Sequence, residues 1–464
     1  MSAPRKLSRR ELLRWSAQAA IITVAVGCAP KPVPTTAPQP PEETAEVPTA
    51  VAREVPTVVP APKEATKISW MTPHVQQQVQ SLADTFHEQN PDIIVEVEVL
   101  PWDAFFEQGP IRLAAGTGSP DTISADVPLT ASYAYRNWLL PLDEAFTTDE
   151  KADWLDAALQ AGTYKGHLVT APISTSTQIL YYNPALLERG GVTPPGPDDR
   201  WTWEQLADAA KKCAFDEDGD GIPNIWGFSW EQLVEIYQLQ PLPMSLGGQA
   251  IGPDGLTVRG VIDTEPWIKA FTFYSQVYNE WKLGPQGEVI WPTDLFRAQT
   301  LSMAVGGPWN ITDNIAAGIE WEYGVSRHPY FADGIVVTPT GSWHQAVNAT
   351  AENREAAVRF VHWFTTAAGG AERWFELAGD LPAQKSLLAK FDTDPKFAEP
   401  PRSYFRVAAK EAQVNPQPRP VTPGYSAYQE ILRNTFQDIR NGAPVEASLR
   451  QAVDRIEAQM QQFK

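Results

Sequence analysis

Residues 216–224 read DEDGDGIPN, a dense run of hard oxygen ligands. Asp216, Asp218 and Asp220 stand at the first, third and fifth places of a calcium loop, and Gly221 makes the turn at the sixth. Ile222 offers its carbonyl at the seventh place, and Asn224 stands at the ninth. Clustered carboxylates repel one another unless a cation neutralises them, so the loop reads as a structural Ca²⁺ site, with a solvated acidic turn as the alternative. The twelfth place is Gly227, where a bidentate glutamate is expected, so that ligand has to come from elsewhere, for example Glu231. Other metal chemistry has less to work with, because the six histidines are scattered. Of the two cysteines, Cys28 and Cys213, the second follows Leu206 and Ala210 at helical spacing and reads as a small core residue.

The elements that position such groups begin at Lys67. KISW opens a short strand, and Val75, Val79, Leu82 and Phe86 then recur at the spacing of one helix face, stopped by Asn90–Pro91. Ile93, Val95, Val97 and Val99 alternate with glutamates as a strand, a further helix runs to Ala115, and a turn and strand end at Asp126. Such strand–helix–strand units predict a parallel-type sheet covered by helices. Thr202 and Gln205 form a capping box before a helix through Cys213. Residues 353–366 form another helix, and Leu449, Val453, Ile456 and Met460 mark the last. The body is therefore an α/β protein too long for a single core.

The N-terminus carries an address. SRRELLR at 8–14 resembles a twin-arginine export signal, and the apolar stretch after it, 17–27, is too short to span a bilayer. It ends in AVGC, which resembles a lipobox with Cys28 as the acylated residue; Ala25 departs from the larger aliphatic usual there. Residues 28–66 are rich in Pro, Thr, Ala and Glu and cannot bury enough surface to fold, so they read as an extended stalk. The net charge of −19, made more acidic once 1–27 is removed, argues against nucleic acid as a partner.

Five segments in order resemble the extracellular sugar-binding proteins of ABC importers, the maltose-binding-like cluster. They are SPDTISAD at 119–126, ILYYNPALLERGGVTPPG at 179–196, RWTWEQLADAAKKC at 200–213, FRAQTLSMAVGGPWN at 296–310 and GDLPAQKSL at 379–387. The resemblance implies a periplasmic-binding-protein-like fold: two α/β lobes joined by a three-segment hinge around a central ligand cleft. It places the crossings near 174–178, 341–347 and 379–384. One lobe would then hold 67–176 plus 345–380, and the other 177–344 plus 381–464. It also implies a monomeric lipoprotein, exported and anchored outside the cell membrane or in a periplasm, that passes a carbohydrate to permease subunits.

A sugar offers a C–H face and a rim of hydroxyls, so its site needs flat aromatic surfaces beside carboxylates and amides. Among seventeen tryptophans, the resemblance implies that Trp309, after GGP, stacks on the ligand. Trp70 and His74 at the end of the first strand, and Trp343 in a crossing segment, are further candidates. Asp126 ends a strand toward the cleft, and Glu235 and Tyr237 match a sugar-contacting Glu–x–aromatic pair of the maltose branch. Ser176 and Thr177 stand where that branch has an acidic contact, a departure that leaves the particular sugar open. Trp138, Trp154, Trp201, Trp203, Trp363 and Trp374 read as core or helix-face residues.

Two alternatives differ in chemistry. A secreted glycoside hydrolase would need two carboxylates facing each other across the bond, for which Asp126 and Glu235 are the candidates, but no segment resembles a hydrolase motif. A binding protein for a polyol phosphate or peptide would favour placed cations, and neither Arg259 nor Arg297 is clearly placed in the cleft. The reading is a carbohydrate carrier and not an enzyme.

Overall fold

A computed structural model of the chain describes residues 64–286 and 291–464. The export signal, Cys28 and nearly all of the stalk therefore lie outside the described residues. No helix among the described residues is long and apolar enough to cross a membrane.

In chain order the strands that matter are β1 (Thr66–Thr72), β2 (Ile93–Val99), β3 (Thr122–Asp126), β4 (Ala171–Pro172), β5 (Ile179–Tyr182) and β6 (Trp226–Trp230). They continue with β7 (Leu301–Gly306), β8 (Gly324–Arg327), β9 (Thr338–Thr340), β10 (Trp343–Val347) and β11 (Pro416–Pro418). The helices used below are α1 (Gln76–Gln89), α2 (Trp102–Ala115), α3 (Trp203–Lys212), α4 (Glu265–Asn279) and α5 (Trp309–Ala316). After them come α6 (Arg354–Thr365), α7 (Ala371–Ala378), α8 (Tyr425–Arg440) and α9 (Val445–Met460).

Two larger sheets result, beside a separate pairing of β9 with β11. The first has the order β2-β1-β3-β10-β4, with β1 parallel to β2 and β3, and β10 antiparallel to its neighbours. The second has the order β8-β5-β7-β6. Each is one lobe of a two-lobed α/β fold. The apolar face of α1 packs Val79, Leu82 and Phe86 with Ile68 and Trp70 of β1 and with Phe360 and Phe364 of α6. Val75 stands outside that stripe, exposed at the cap of α1. At α3 the Thr202–Gln205 capping box forms in both directions, and Leu206, Ala210 and Cys213 are buried as their spacing requires.

Three segments connect the sheets and lie side by side. Thr175 N–H donates to Leu381 O at 2.7 Å, and Ser174 bridges to Pro382. The Ser174 and Ser342 hydroxyls are 2.6 Å apart, and Val127 N–H donates to Ser342 O. The middle crossing is shorter than 341–347. Trp343 already pairs with Asp126 inside the first sheet, so the strand begins two residues before the boundary placed at 345.

The third crossing opens on Gly379, whose φ of +75° is left-handed. A Cβ there would lie 2.2 Å from Thr312 Oγ1 of α5. Gly379→Ala is expected to cost about 1–2 kcal/mol from the backbone conformation alone, before the clash is counted. The check is thermal unfolding, where Tm should fall by a few degrees.

Candidate functional site

Trp309 heads α5 directly beyond β7, and its position is set by its neighbours. Its indole Nε1–H donates to Glu231 Oε1 at 2.6 Å, while Gly307 N–H donates to Glu231 Oε2 at 2.9 Å. A Cβ on residue 307 would sit 2.2 Å from the Trp309 ring, so only glycine lets the indole lie over the backbone there. The ring remains partly exposed and stands 6.3 Å from the Tyr237 ring at an interplanar angle of 37°. Glu231 follows β6, is buried, and holds its proton more tightly than usual because burial outweighs the Trp309 and Gly307 hydrogen bonds. It therefore belongs to the Trp309 support and does not complete the 216–224 loop.

The Tyr237 hydroxyl donates to Thr177 O at 3.2 Å, which brings the Glu–x–aromatic segment against the first crossing. Ser176 and Thr177 are buried there, and their hydroxyl oxygens have no hydrogen-bond partner. His74 stands between Trp343 and Trp374, with centroids at 4.9 and 4.8 Å. Its Nε2 is buried without a partner, and burial lowers its pKa to about 3, so the ring is neutral at ordinary pH. Buried polar atoms left unpaired at a polar surface cost free energy that a hydrogen-bonding ligand can recover.

Asp126 ends β3 and forms a bidentate pair with Arg419, one arm at 2.8 Å and the other shorter still. The guanidinium lies 5.4 Å from the Tyr237 ring centroid and 5.9 Å from that of Tyr425. Burial alone would lower the Arg419 pKa, but the Asp126 carboxylate outweighs it and keeps the group charged. Glu235 pairs with Arg433 at 3.1 Å, and Arg433 reaches Asp103 of the first lobe at 3.8 Å. Burial raises the Glu235 pKa against the pull of the two arginines.

Trp70 is a correction. It is wholly buried in the core, donates its indole N–H to Ser124 Oγ at 3.0 Å and packs on Phe360 and Phe364. The strand runs on to Thr72, so Trp70 lies two residues short of the strand end that faces the cleft. Trp343, His74, Trp309, Tyr237, Asp126, Glu235, Ser176 and Thr177 lie along the meeting lobes. Arg419, Tyr425, Arg433 and Asp103 join them without any local sequence signal, and Asp380 joins them from the 379–387 segment. Trp374, read as core, is buried but also supports His74.

In the 216–224 loop, ligand oxygens of Asp216, Asp218 and Asp220 fall within 4.8 Å of one another. Asp216 accepts N–H bonds from Gly219 and Gly221, and Asn224 Oδ1 accepts from Glu217 N. Gly227 is already in β6, where a Cβ would lie 2.2 Å from Ala210 O, which explains why no glutamate fills the twelfth place.

A family model described as bacterial extracellular solute-binding protein matches residues 72–371. The chain belongs to this family. One relative of this solute-binding protein is a maltotriose-binding protein of Pyrococcus abyssi, 26% identical over 404 residues, covering 84% of this chain and 81% of that one. Another is the sn-glycerol-3-phosphate-binding periplasmic protein of Escherichia coli, 23% identical over 368 residues, covering 75% and 80%. Among solved structures, a Listeria monocytogenes ABC substrate-binding protein in complex with cycloalternan superposes with a TM-score of 0.74 at 21% identity, over 86% of this chain and all of that one. That likeness identifies the fold, in which the two sheets described above face one cleft.

Asp380, in the third crossing, accepts from Trp374 Nε1–H at 3.1 Å. Its surroundings push its pKa up to about 7, chiefly by desolvation, with Asp313 adding to the shift. Unfolded, the group would titrate near 4. Its contribution to stability is full below about pH 4 and is lost as pH rises through about 7. Asp380→Asn should therefore gain Tm over the parent protein as pH is raised from 4 to 8, in paired melts. Parallel melting profiles would show that Asp380 titrates normally.

Proposed function

We propose that this solute-binding protein captures a neutral carbohydrate, chiefly an oligosaccharide, between its lobes and delivers it to the membrane subunits of an ABC importer. The observation that carries the reading is the Trp309 platform: a partly exposed indole fixed by Glu231, with Tyr237 beside it and the unpaired Ser176, Thr177 and His74 atoms in the same walls. Flat apolar rings suit the C–H face of a sugar, and unpaired donors and acceptors suit its hydroxyls. The ligands of the Pyrococcus and Listeria proteins, maltotriose and cycloalternan, support the class.

A polyol phosphate is the second reading, favoured by the Escherichia coli relative and by an arginine in the cleft. Arg419, however, has both terminal nitrogens on Asp126, and Arg433 is held by Glu235. A phosphate would have to displace a buried carboxylate, whereas a neutral sugar can bind beside the pairs. The same pairing argues for a carrier over a glycosidase, since Asp126 and Glu235, the two candidate acids, are each tied to an arginine.

Closure follows from differential affinity, because a ligand touching both walls stabilises the form in which they meet. The lobes on this reading are 67–176 with 343–380, and 177–342 with 381–464. Cys28 is the lipid anchor that tethers the exported protein, as a monomer, to the outer face of the membrane. The 216–224 loop is a structural Ca²⁺ site completed by water, because no acid stands at its twelfth place.

Two measurements test these readings. Thermal melts against mono- and oligosaccharides, polyol phosphates and peptides should show stabilisation by a sugar, about 2.7 kcal/mol at 100 times its Kd. Trp309→Ala should weaken that sugar about thirtyfold by calorimetry, the loss typical of a central aromatic contact. A response to glycerol phosphate alone would overturn the substrate class and leave the fold standing. Millimolar Ca²⁺ should raise Tm, and Asp216→Asn with Asp218→Asn should abolish the rise; an unchanged Tm in the parent protein would discount the metal.

A further inference from the structure

Trp102 is the first residue of α2 and leaves 50% of its surface in water, following an exposed Pro101. Water is a costly place for an indole, and the start of a helix asks for nothing apolar. Its ring contacts are steep. Phe106 stands at 5.1 Å and 67°, and Trp343 at 5.7 Å and 85°, so neither ring lies flat on the indole. Neither ring is stacked on the indole, and the half of it open to water is available for a ring to stack on.

The position of Trp102 gives the face a direction. Trp343 continues to His74 at 4.9 Å, so the aromatic row along the first lobe runs from the wall beside Trp374 outward to Trp102. Asp103, next in sequence, faces Arg433 of the second lobe at 3.8 Å, and Arg433 holds Glu235. Trp102 thus stands where the two lobes meet, beside exposed carboxylate and guanidinium groups that can serve hydroxyls. Apolar plate, polar neighbours and continuity with the inner walls together fit a carbohydrate unit better than an apolar partner.

We infer that Trp102, flanked by Trp343 and Asp103, forms an outer subsite at the cleft mouth that stacks a further unit of a neutral oligosaccharide. The inference rests on the carbohydrate reading above and deepens it: the protein selects for chain length, with Trp309 serving the inner units and Trp102 an outer one.

The test is calorimetric titration of the parent protein, Trp102→Ala and Trp102→Phe. The probes are malto-, isomalto-, cello-, xylo- and manno-oligosaccharides, each from disaccharide to hexasaccharide. In whichever series binds, affinity should rise with length in the parent protein. Trp102→Ala should lose about tenfold on the longer members and less than about twofold on the shortest, with Trp102→Phe recovering most of the loss. An equal loss at every length would mean that the indole only props Trp343, and would overturn the subsite. So would unchanged affinity at all lengths. Binding by none of the series would overturn the carbohydrate reading itself, and the subsite with it.

Discussion

Three backbone segments have to pass between two sheets at one place, and their mutual hydrogen bonding constrains the remainder of the molecule. Buried backbone N–H and C=O groups need partners, and here the crossings supply them to one another, as Thr175 does to Leu381, while Val127 beyond the end of β3 serves Ser342 of the middle one. The arrangement fixes which side chains can reach the cleft. Asp126 is carried there because its strand neighbour Trp343 follows the middle crossing directly. Trp309 is carried there because its helix packs under Gly379 of the third.

Beside the crossings sits the Asp126–Arg419 pair, with the guanidinium over two tyrosines. A buried ion pair adds little net stability, since desolvation offsets most of the Coulomb attraction. What it does provide is orientation, because the planar guanidinium and the carboxylate fit in one geometry. Glu235 and Arg433 meet through a single contact at 3.1 Å, with the guanidinium half open to water, so that pair is looser. The cleft carboxylates Asp126 and Glu235 are thus paired before any ligand arrives, and the groups left wanting partners include the Ser176 and Thr177 hydroxyls, the Gln178 amide, the Arg419 Nε–H and a neutral imidazole. An aromatic wall whose unpaired groups are hydroxyls, an amide and an imidazole, with its arginines already on carboxylates, is chemically matched to a sugar.

Periodicity made much of the scaffold legible. The alternation at 93–99 became an edge strand, the 202–205 cap formed as spaced, and the helix expected over 353–366 spans Arg354–Thr365. These features depend on neighbours in sequence, so local rules suffice. The Trp309 motif was also legible, because Gly307 and Trp309 touch each other. Trp70 was misjudged for a related reason: periodicity marked a strand but not its last residue, and two further positions turned the indole into the core.

By itself, then, the sequence determined the element order, the α/β class, the glycines that let Trp309 lie flat and the carboxylate spacing of the 216–224 loop. Tertiary structure alone decided which charges meet. Asp126 and Arg419 are 293 positions apart, and Arg419 sits in a proline-rich stretch with no period or motif to mark it. Asp103, Glu235 and Arg433 likewise come from three distant segments. Partners separated this far are chosen by how the chain crosses between lobes, which is a property of the packed whole and leaves no trace in local spacing.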